Sequence, residues 1–593
     1  MASRDVRPAS YEWVLRPVDE ALCQRLSNKL NISDLSARLL YHRGARSVED
    51  ATRFLETSLA GIRSPFLFRS MEAAVERIVL AIRRRERVLV YGDYDVDGLT
   101  GTAVVVQFLQ QTGLDPLVYI PDRLGQGYGF HAECVPKFRD RGVTLVLTVD
   151  CGVSASEAVV LANRLGMDVI VTDHHESVDP LPPALAILNP KLPQEDFPFR
   201  DLAGVGVAFF LVMALRSRLR EIGFWRNKPE PNLRSCLDLV ALGTLADMVP
   251  LRDENRIFVK FGLEEISAAK RPGVAVLKDQ CGLRSEAAEC RAVLYRLVPR
   301  INAPGRLGSP NEALRILLCE DLEEARRIAA AIEERNQKRK SLEDGVYREA
   351  ADQARRQMDK SDAPVLVLSG EGWHRGILGI VAARLAEDFD RPVVLVSFDG
   401  DEGKGSVRTI ENVEILDALE SCRDLLDSYG GHRLAAGIAV KRENMEAFRR
   451  VFEEALRDRI GKGRTTRKLE LDLWLTEPGQ LRDEVVDEFT RLAPFGSGNA
   501  EPLVGLEGVS ILDRRVVGNN HLLLSLDQAG RRYEAIGFGL GGTVYLEPQN
   551  AGRWDVACTP ERDDWRGRNQ VRLRVVDIRP SGPAPAVGLE PKG

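Results

Sequence analysis

Residues 91–98 read YGDYDVDG, with aspartates at 93, 95 and 97 and a glycine at 98. An EF-hand calcium loop begins the same way, with carboxylates at positions 1, 3 and 5 and a glycine at 6, but it also needs a bidentate acid at 12 and a helix in front. Counting from Asp93 puts Val104 at the twelfth place, and the preceding RVLVYG has the apolar, β-branched character of a strand. The stretch is therefore an acidic loop at the carboxyl end of a strand, where open parallel sheets bind their ligands.

The neighbouring sequence supplies the rest of such a sheet. GLTGTAVVVQFLQQTG, PLVYI, HAECVPKFRDRG, TLVLTV, ASEAVVLANRLG and DVIVT follow in turn. Strands alternating with amphipathic helices predict an α/β domain whose parallel sheet is covered on both faces. Two more strand ends carry chemistry: Asp150 follows TLVLTV, and Asp173, His174 and His175 follow DVIVT. Asp247 lies in CLDLVALGTLADMVPL, where an apolar helical run gives way to Pro250.

One aspartate after a strand is ordinarily a turn residue or a helix cap. Three consecutive strand ends bearing DxDxD, D and DHH predict a cluster instead. Two carboxylates about 4 Å apart repel by about 4 kcal/mol at an effective dielectric of about 20. Several converging on one cleft must take up protons or bind cations. Carboxylates with imidazole and no thiolate disfavour structural zinc and suit Mn²⁺ or Mg²⁺, the imidazole favouring Mn²⁺. A pair of such ions sharing an aspartate activates water and neutralises a phosphoryl group, so the reaction class is metal-assisted phosphodiester hydrolysis.

Composition sets the frame. The 593 residues allow three or four domains at roughly 150 residues each. A hydrophobic content of 44% and a charged content of 29% are those of a globular protein. No apolar run reaches the ~18 residues of a membrane span, and the opening MASRDVRPASYEWVLRP has no apolar core of a secretory signal. Nine cysteines without a CxxC pair suggest reduced thiols in a cytoplasmic enzyme. A net charge of −6 excludes nucleic-acid binding through a broad basic surface, so any such binding must be local.

The expected organisation is an N-terminal segment (1–70) packing on the first domain, the catalytic α/β domain (71–318), and a long, partly exposed connecting helix (319–360). A second α/β domain (361–460) and a small β-barrel of the oligonucleotide-binding type (465–580) follow, then a disordered tail (581–593). Arg514, Arg515, Arg531, Arg532 and Tyr533 would give the barrel a phosphate-tracking and stacking surface for single strands.

With TDHH the sequence resembles the DHH phosphoesterase superfamily, and within it the RecJ-type single-strand-specific 5′→3′ exonucleases. YGDYDVDG, TVDCG, TDHH with LNPK, and ALGTLADMVPL are similar to the family's motifs in order. RINAPGRLG (300–308) is similar to a segment of the exonuclease branch, and GWHRGILGIVAARLAE, GKGSVRTI and GGHRLAAG resemble the associated DHHA1 domain. The resemblance implies that Asp95 and Asp97 are metal ligands, that Asp150 bridges two ions, and that His174 and Asp247 hold the second. It implies that His175 holds or protonates the reacting phosphate. Smaller superfamily members often carry a histidine where Tyr91 stands, which leaves Asp93 as a candidate substitute ligand or the first ion more weakly bound.

Arg306, Arg375, Arg408 and His432 lie in glycine-rich segments read as loops, where backbone can approach phosphate. Arg123, in PDRLGQGYG, is a further candidate, and Ser406 with Arg408 would grip a 5′-terminal phosphate. The activity implied is hydrolysis of single-stranded DNA from its 5′ end in repair and recombination, with a helicase and a single-strand-binding protein as partners. The alternatives are a superfamily phosphodiesterase for short oligonucleotides or cyclic dinucleotides, and a non-catalytic single-strand-binding scaffold.

Overall fold

The computed structural model describes residues 11–177, 179–283, 287–360, 363–410, 413–460, 468–518, 520–542, 552–563 and 570–588. The chain forms two compact units, one from Arg63–Val249 and Phe261–Arg464, the other from Met1–Ile62, Pro250–Lys260 and Thr465–Gly593.

The first unit holds the acidic strand ends. Its five-stranded sheet runs Leu117–Tyr119, Val88–Gly92, Leu145–Val149, Asp168–Thr172, Ala186–Leu188, with every pairing parallel. Val88–Gly92 and Leu145–Val149 are buried at every position, which is why they read as unbroken apolar runs. The register sets the site: Gly92 pairs with Val149 and Val149 with Thr172. The next residues, Asp93, Asp150 and Asp173, therefore leave three strands side by side. Their N–H groups still donate to the neighbouring strand, Asp93 to Val149 O at 3.2 Å, Asp150 to Thr172 O at 2.9 Å and Asp173 to Leu188 O at 3.0 Å.

The helix Leu322–Lys360, about 58 Å long at 1.5 Å per residue, leads to a mixed five-stranded sheet. In that sheet Leu366–Glu371 and Val393–Asp399 are parallel, while Glu402–Arg408, Ala435–Lys441 and Ser428–His432 add antiparallel strands. The expected two α/β domains with a helical connector are thus present.

The second unit contains a closed five-stranded barrel. Val504–Val517, His521–Gln528, Arg531–Gly537, Gln570–Pro580 and Trp554–Asp563 pair in succession, and the last returns to the first.

Several expectations about this unit need correction. The N-terminal segment, expected on the first domain, belongs to the barrel's unit: Leu22, Leu26, Leu39, Leu40 and Ala51, from the helices Glu20–Leu30, Asp34–His42 and Val48–Leu55, share one apolar core with barrel residues such as Leu506, Leu524 and Val556. Pro250–Lys260 also belongs here: Leu251 N–H donates to Ser497 O at 2.8 Å, and Arg256 donates to Leu492 O at 2.9 Å and Ala493 O at 2.8 Å. The tail is partly ordered, because Ala586–Val587 pairs with Glu12–Leu15 and Gly588 N–H donates to Leu15 O at 2.8 Å; residues 589–593 lie outside the described residues. Tyr533 is buried at 3% exposure under Arg531 and is no stacking platform, and Arg531 is paired with Asp483 at 2.9 Å. Arg515 and Arg532 are exposed. Among the described residues no helix is long and apolar enough to cross a membrane.

Asp472 ties the N-terminal helices to the barrel. Arg43 Nη1 lies 3.1 Å and His42 Nδ1 3.3 Å from its Oδ1, and Leu503 N–H donates to Oδ2 at 3.1 Å. Burial would raise this carboxyl, but His42 and Arg43 outweigh it and hold it well below the usual range. Its contribution is present at neutral pH and is lost as pH falls below the ordinary value of 3.8. Removing one partner of a buried pair strands the other charge. Asp472→Ala is expected to cost about 3–5 kcal/mol in urea unfolding at neutral pH, and the gap to the native protein should narrow in acid.

Candidate metal centre and anion pocket

Asp95 is the N-cap of the helix Val96–Thr112: its Oδ1 accepts the N–H groups of Asp97 at 2.9 Å and Gly98 at 3.1 Å. That bond turns the chain from strand into helix and leaves the second carboxylate oxygen for the cleft. Gly98 is required by space, since a Cβ there would sit 2.7 Å from the backbone N and O of Asp93. Asp97, inside the first turn, is 1% exposed and accepts from Gly204 N–H at 2.6 Å and Val205 N–H at 2.8 Å. Those donors are free N–H groups at the start of the helix Gly204–Glu221. A Cβ on Gly204 would come within 2.4 Å of Asp150 Oδ1, so this helix start presses against the cluster. Asp150 itself has φ +62°, a left-handed conformation that a side chain adopts only at a cost.

These elements bring the acids together in two groups, Asp93–Asp95–Asp150 and Asp97–His174–Asp247, and Asp150 forms a third with His174 and His175; within each the ligand atoms lie within 4.8 Å of one another. Asp150 joins them: His174 Nε2 is 3.2 Å from Asp150 Oδ1, 3.6 Å from Asp247 Oδ2 and 3.8 Å from Asp97 Oδ2. Asp93 Oδ1, Asp150 Oδ1 and both ring nitrogens of His174 are buried without a hydrogen-bond partner. Orphaned donors and acceptors of this kind, all oxygen and imidazole, fit a pair of hard or borderline divalent cations.

The electrostatics agree. Burial, then the charge of Asp95, raises Asp97 to about 7; burial, then Asp97 and Asp95, raises Asp247 to about 9. Burial and neighbouring carboxylates push Asp93 and Asp150 well up as well. Burial and the nearby His175 lower His174 to about 3, keeping it a neutral ligand. His175 differs: burial acts to lower it, but Asp173, 2.8 Å from Nδ1, more than compensates and raises it. Asp173 is lowered in turn, its hydrogen bond to His175 overcoming the cost of burial.

Tyr91 does not face this cluster. Its ring is fully buried among Tyr119, Phe130 and Phe138, and its hydroxyl donates to Gly129 O at 3.0 Å. Asp93 is the residue that completes the first group of acids.

Next to the cluster lies a set of cations. Arg306, read from sequence as a loop residue, is instead in the last turn of the helix Val298–Leu307 and donates to Gly376 O at 3.3 Å. Burial, then Arg123 and Arg339, lowers it to about 9. Arg408 ends a strand rather than a loop and donates to Ser406 Oγ at 2.9 Å; burial and Arg123 lower it too. Gly379, at the start of the helix Leu378–Phe389, is so close that a Cβ would be 2.7 Å from Arg408 Nη2. Arg123 lies 5.0 Å over the ring of Tyr94 and is near enough to Asp93 to stabilise its charge. Buried cations gathered in this way have the charge to receive an anion. Arg375 and His432 are exposed, with no side-chain hydrogen bond or ion pair among the described residues.

Sequence reasoning missed Tyr94, Tyr128 and the Gly204 and Val205 amides. The amides gave no signal, because a backbone donor has no side chain to notice. Tyr128, between two glycines in GQGYGF, did give one.

Comparison with known proteins follows the same division. Residues 87–244 match the DHH family N-terminal domain, 362–458 the DHHA1 domain and 472–577 the RecJ OB domain. The single-stranded-DNA-specific exonuclease RecJ of Bacillus subtilis is 34% identical over 96% of this chain and 71% of its own length. That of Escherichia coli is 35% identical over 92% of this chain and 96% of its own. The crystal structure of RecJ with Mn²⁺ from Thermus thermophilus superposes with a TM-score of 0.81 at 33% identity, covering 97% of this chain and 80% of that one. The Mg²⁺ complex gives 0.76 at 31% identity, covering 97% and 79%. With the three domains in the same order and nearly the whole sequence aligned, the chain belongs to the RecJ family.

Proposed function

We propose that this protein is a single-stranded-DNA-specific exonuclease that removes nucleotides from the 5′ end through a two-cation centre. The observation that carries the reading is the pairing of two acid groups around Asp150 with an adjoining set of buried arginines, Arg306 and Arg408, beside Arg123. The first group of acids would hold one ion and Asp97, His174 and Asp247 the other, with Asp150 shared. Mn²⁺ or Mg²⁺ bound there supplies an acidified water and neutralises charge on the phosphoryl group.

The chain's own residues do the remaining work. The Gly204 and Val205 amides fix Asp97, and Asp95 is fixed by its capping bonds. Neutral His174 offers a ring nitrogen, and half-buried His175 stands ready to hold or protonate the reacting phosphate. Arg408, Ser406 and the start of the helix Leu378–Phe389 would take the 5′-terminal phosphate, with Arg306 and Arg123 on the following backbone. Arg375 and His432 would reach the strand from the exposed rim. On the barrel, exposed Arg515 and Arg532, with Arg514, would track further phosphates, and Phe538, 50% exposed against His521, offers a ring for stacking. Family resemblance supports a cytoplasmic role in DNA repair and recombination alongside a helicase and a single-strand-binding protein.

Three outcomes test this reading. Asp150→Ala is expected to abolish Mn²⁺-dependent release of nucleotides while single-strand binding survives; undiminished cleavage would remove Asp150 from the centre. Arg408→Ala should raise KM for 5′-phosphorylated strands by about tenfold or more, the worth of a charge-assisted hydrogen bond. It should also erase any preference over 5′-hydroxyl ends, measured on end-labelled oligonucleotides.

The third outcome concerns pH. Without metal, Asp97 and Asp247 hold protons up to about 7 and about 9, whereas the unfolded chain loses them near 3.8. Their stabilising contribution is therefore full in acid and is lost as pH rises through those folded-state values. The metal-free melting temperature should fall between about pH 6 and about pH 8.5, and Mg²⁺ should restore more at the higher pH. Asp247→Asn should flatten the metal-free slope.

A further inference from the structure

Tyr128 reaches the centre from the loop that follows the strand Leu117–Tyr119. Gly127 and Gly129 flank it at φ +83° and +112°, conformations that favour glycine, and the buried Tyr91 hydroxyl holds Gly129 O at 3.0 Å. The loop is thus set to present one side chain. The Tyr128 hydroxyl lies 3.2 Å from the backbone carbonyl of Asp150 and 2.9 Å from Nδ1 of His175, and the two rings are 5.0 Å apart.

The hydrogen-bond polarity at this point has one consistent solution. Asp173 is an acceptor throughout: Oδ2 takes Val153 N–H at 2.9 Å, and Oδ1 takes the N–H groups of His174 at 2.7 Å and His175 at 3.1 Å. Oδ1 is also 2.8 Å from His175 Nδ1, so the proton between them sits on Nδ1. A bare Nδ1 would set lone pair against lone pair. The Asp150 carbonyl can only accept, so Tyr128 donates its O–H there and turns its oxygen lone pair towards Nδ1–H. Every side-chain hydrogen bond of the His175 ring among the described residues runs through Nδ1, which leaves Nε2 for substrate.

We propose that Tyr128 is a positioning residue for the hydrolysis: with Asp173 it fixes the Nδ1 proton and the ring plane of His175, so that the ring, when it carries a second proton on Nε2, delivers that proton to the leaving 3′-oxygen. The proposal rests on the exonuclease reading above. In the step, the water oxygen bonds to phosphorus and the bond from phosphorus to the 3′-oxygen breaks. The Nε2 proton passes to that oxygen, the water proton passes to solvent, and solvent reprotonates Nε2. Because Tyr128 also touches the Asp150 carbonyl, it couples the orientation of His175 to the residue shared by both acid groups.

Tyr128→Phe removes one hydroxyl and keeps the ring. On 5′-phosphorylated single strands it is expected to lower kcat by about tenfold or more, with KM within about twofold. A strand whose first linkage carries sulfur at the bridging 3′ position has a leaving group that needs no proton. On that strand the deficit should shrink to within about threefold, and His175→Gln should show the same rescue. Equal losses on the oxygen and sulfur strands, or no loss on either, would overturn the proposal. A second measurement is independent of turnover. In the Mg²⁺-bound protein, at a pH high enough for Nε2 to have lost its proton, ¹⁵N shifts of the His175 ring, identified by their disappearance in His175→Gln, should report the remaining proton fixed on Nδ1. Tyr128→Phe should turn that signature into a mixture of tautomers, and unchanged shifts would count against the proposal. If the native protein released no nucleotide from single strands, the exonuclease reading itself would fall, while the ring shifts would still decide the placement of the Nδ1 proton.

Discussion

Buried carboxylates that converge on one point cannot all stay charged unless cations join them, and the rest of the centre is arranged around that constraint. The level register of three parallel strands delivers Asp93, Asp150 and Asp173 together. The acids are then separated in function by what the surrounding elements donate. Asp173 receives N–H groups and the His175 ring and stays ionised, and Asp97 receives two amides of a helix start. Asp93 and Asp150 each keep a buried oxygen with no donor at all. A fold that directs its N–H groups to some carboxylates and leaves others bare has built a container for positive charge.

The arginines show the complementary constraint. A chain with net charge −6 has no general attraction for nucleic acid, so attraction must be concentrated. Arg123, Arg306 and Arg408 come from three separate segments, and burial together with the charge of Arg123 weakens the charge of Arg306 and Arg408. A bound phosphate would relieve that destabilisation, just as cations would relieve that of the acids. With the two clusters next to each other, the phosphodiester end proposed as substrate would satisfy both.

Much of this was legible in the chain. Apolar strands ending in acids located the sheet and the side of it that binds, and the ligand types fixed the class of ion. The errors share a cause, which is that sequence proximity was taken for spatial proximity or local composition for local shape. Arg306 was read as a loop residue because glycine and proline surround it, yet Pro304 is accommodated within the helix Val298–Leu307. Tyr91 stands where smaller superfamily members carry a histidine, but it lies within the strand and its ring joins the core with Tyr119, Phe130 and Phe138, whereas Asp93 lies just beyond the strand end. The N-terminal helices were assigned to the nearest domain, whereas their apolar faces found the barrel several hundred residues later. Tyr533 was counted as an exposed ring, and the barrel's alternation buries it.

The sequence by itself determined the alternating α/β pattern, the acids at successive strand ends and the oxygen and imidazole character of the centre, because these depend on residue type and short-range periodicity. It also carried the family's motifs in order. Only the tertiary structure decided which acids share a group, which arginines gather beside them, and that Asp93 rather than Tyr91 completes the first group. Those facts depend on strand register and on backbone donors brought from distant helices. The same holds for the DYDVDG loop: its residues announce a cation site, but the amides of Gly204 and Val205, more than a hundred positions away, settle how Asp97 is held within it.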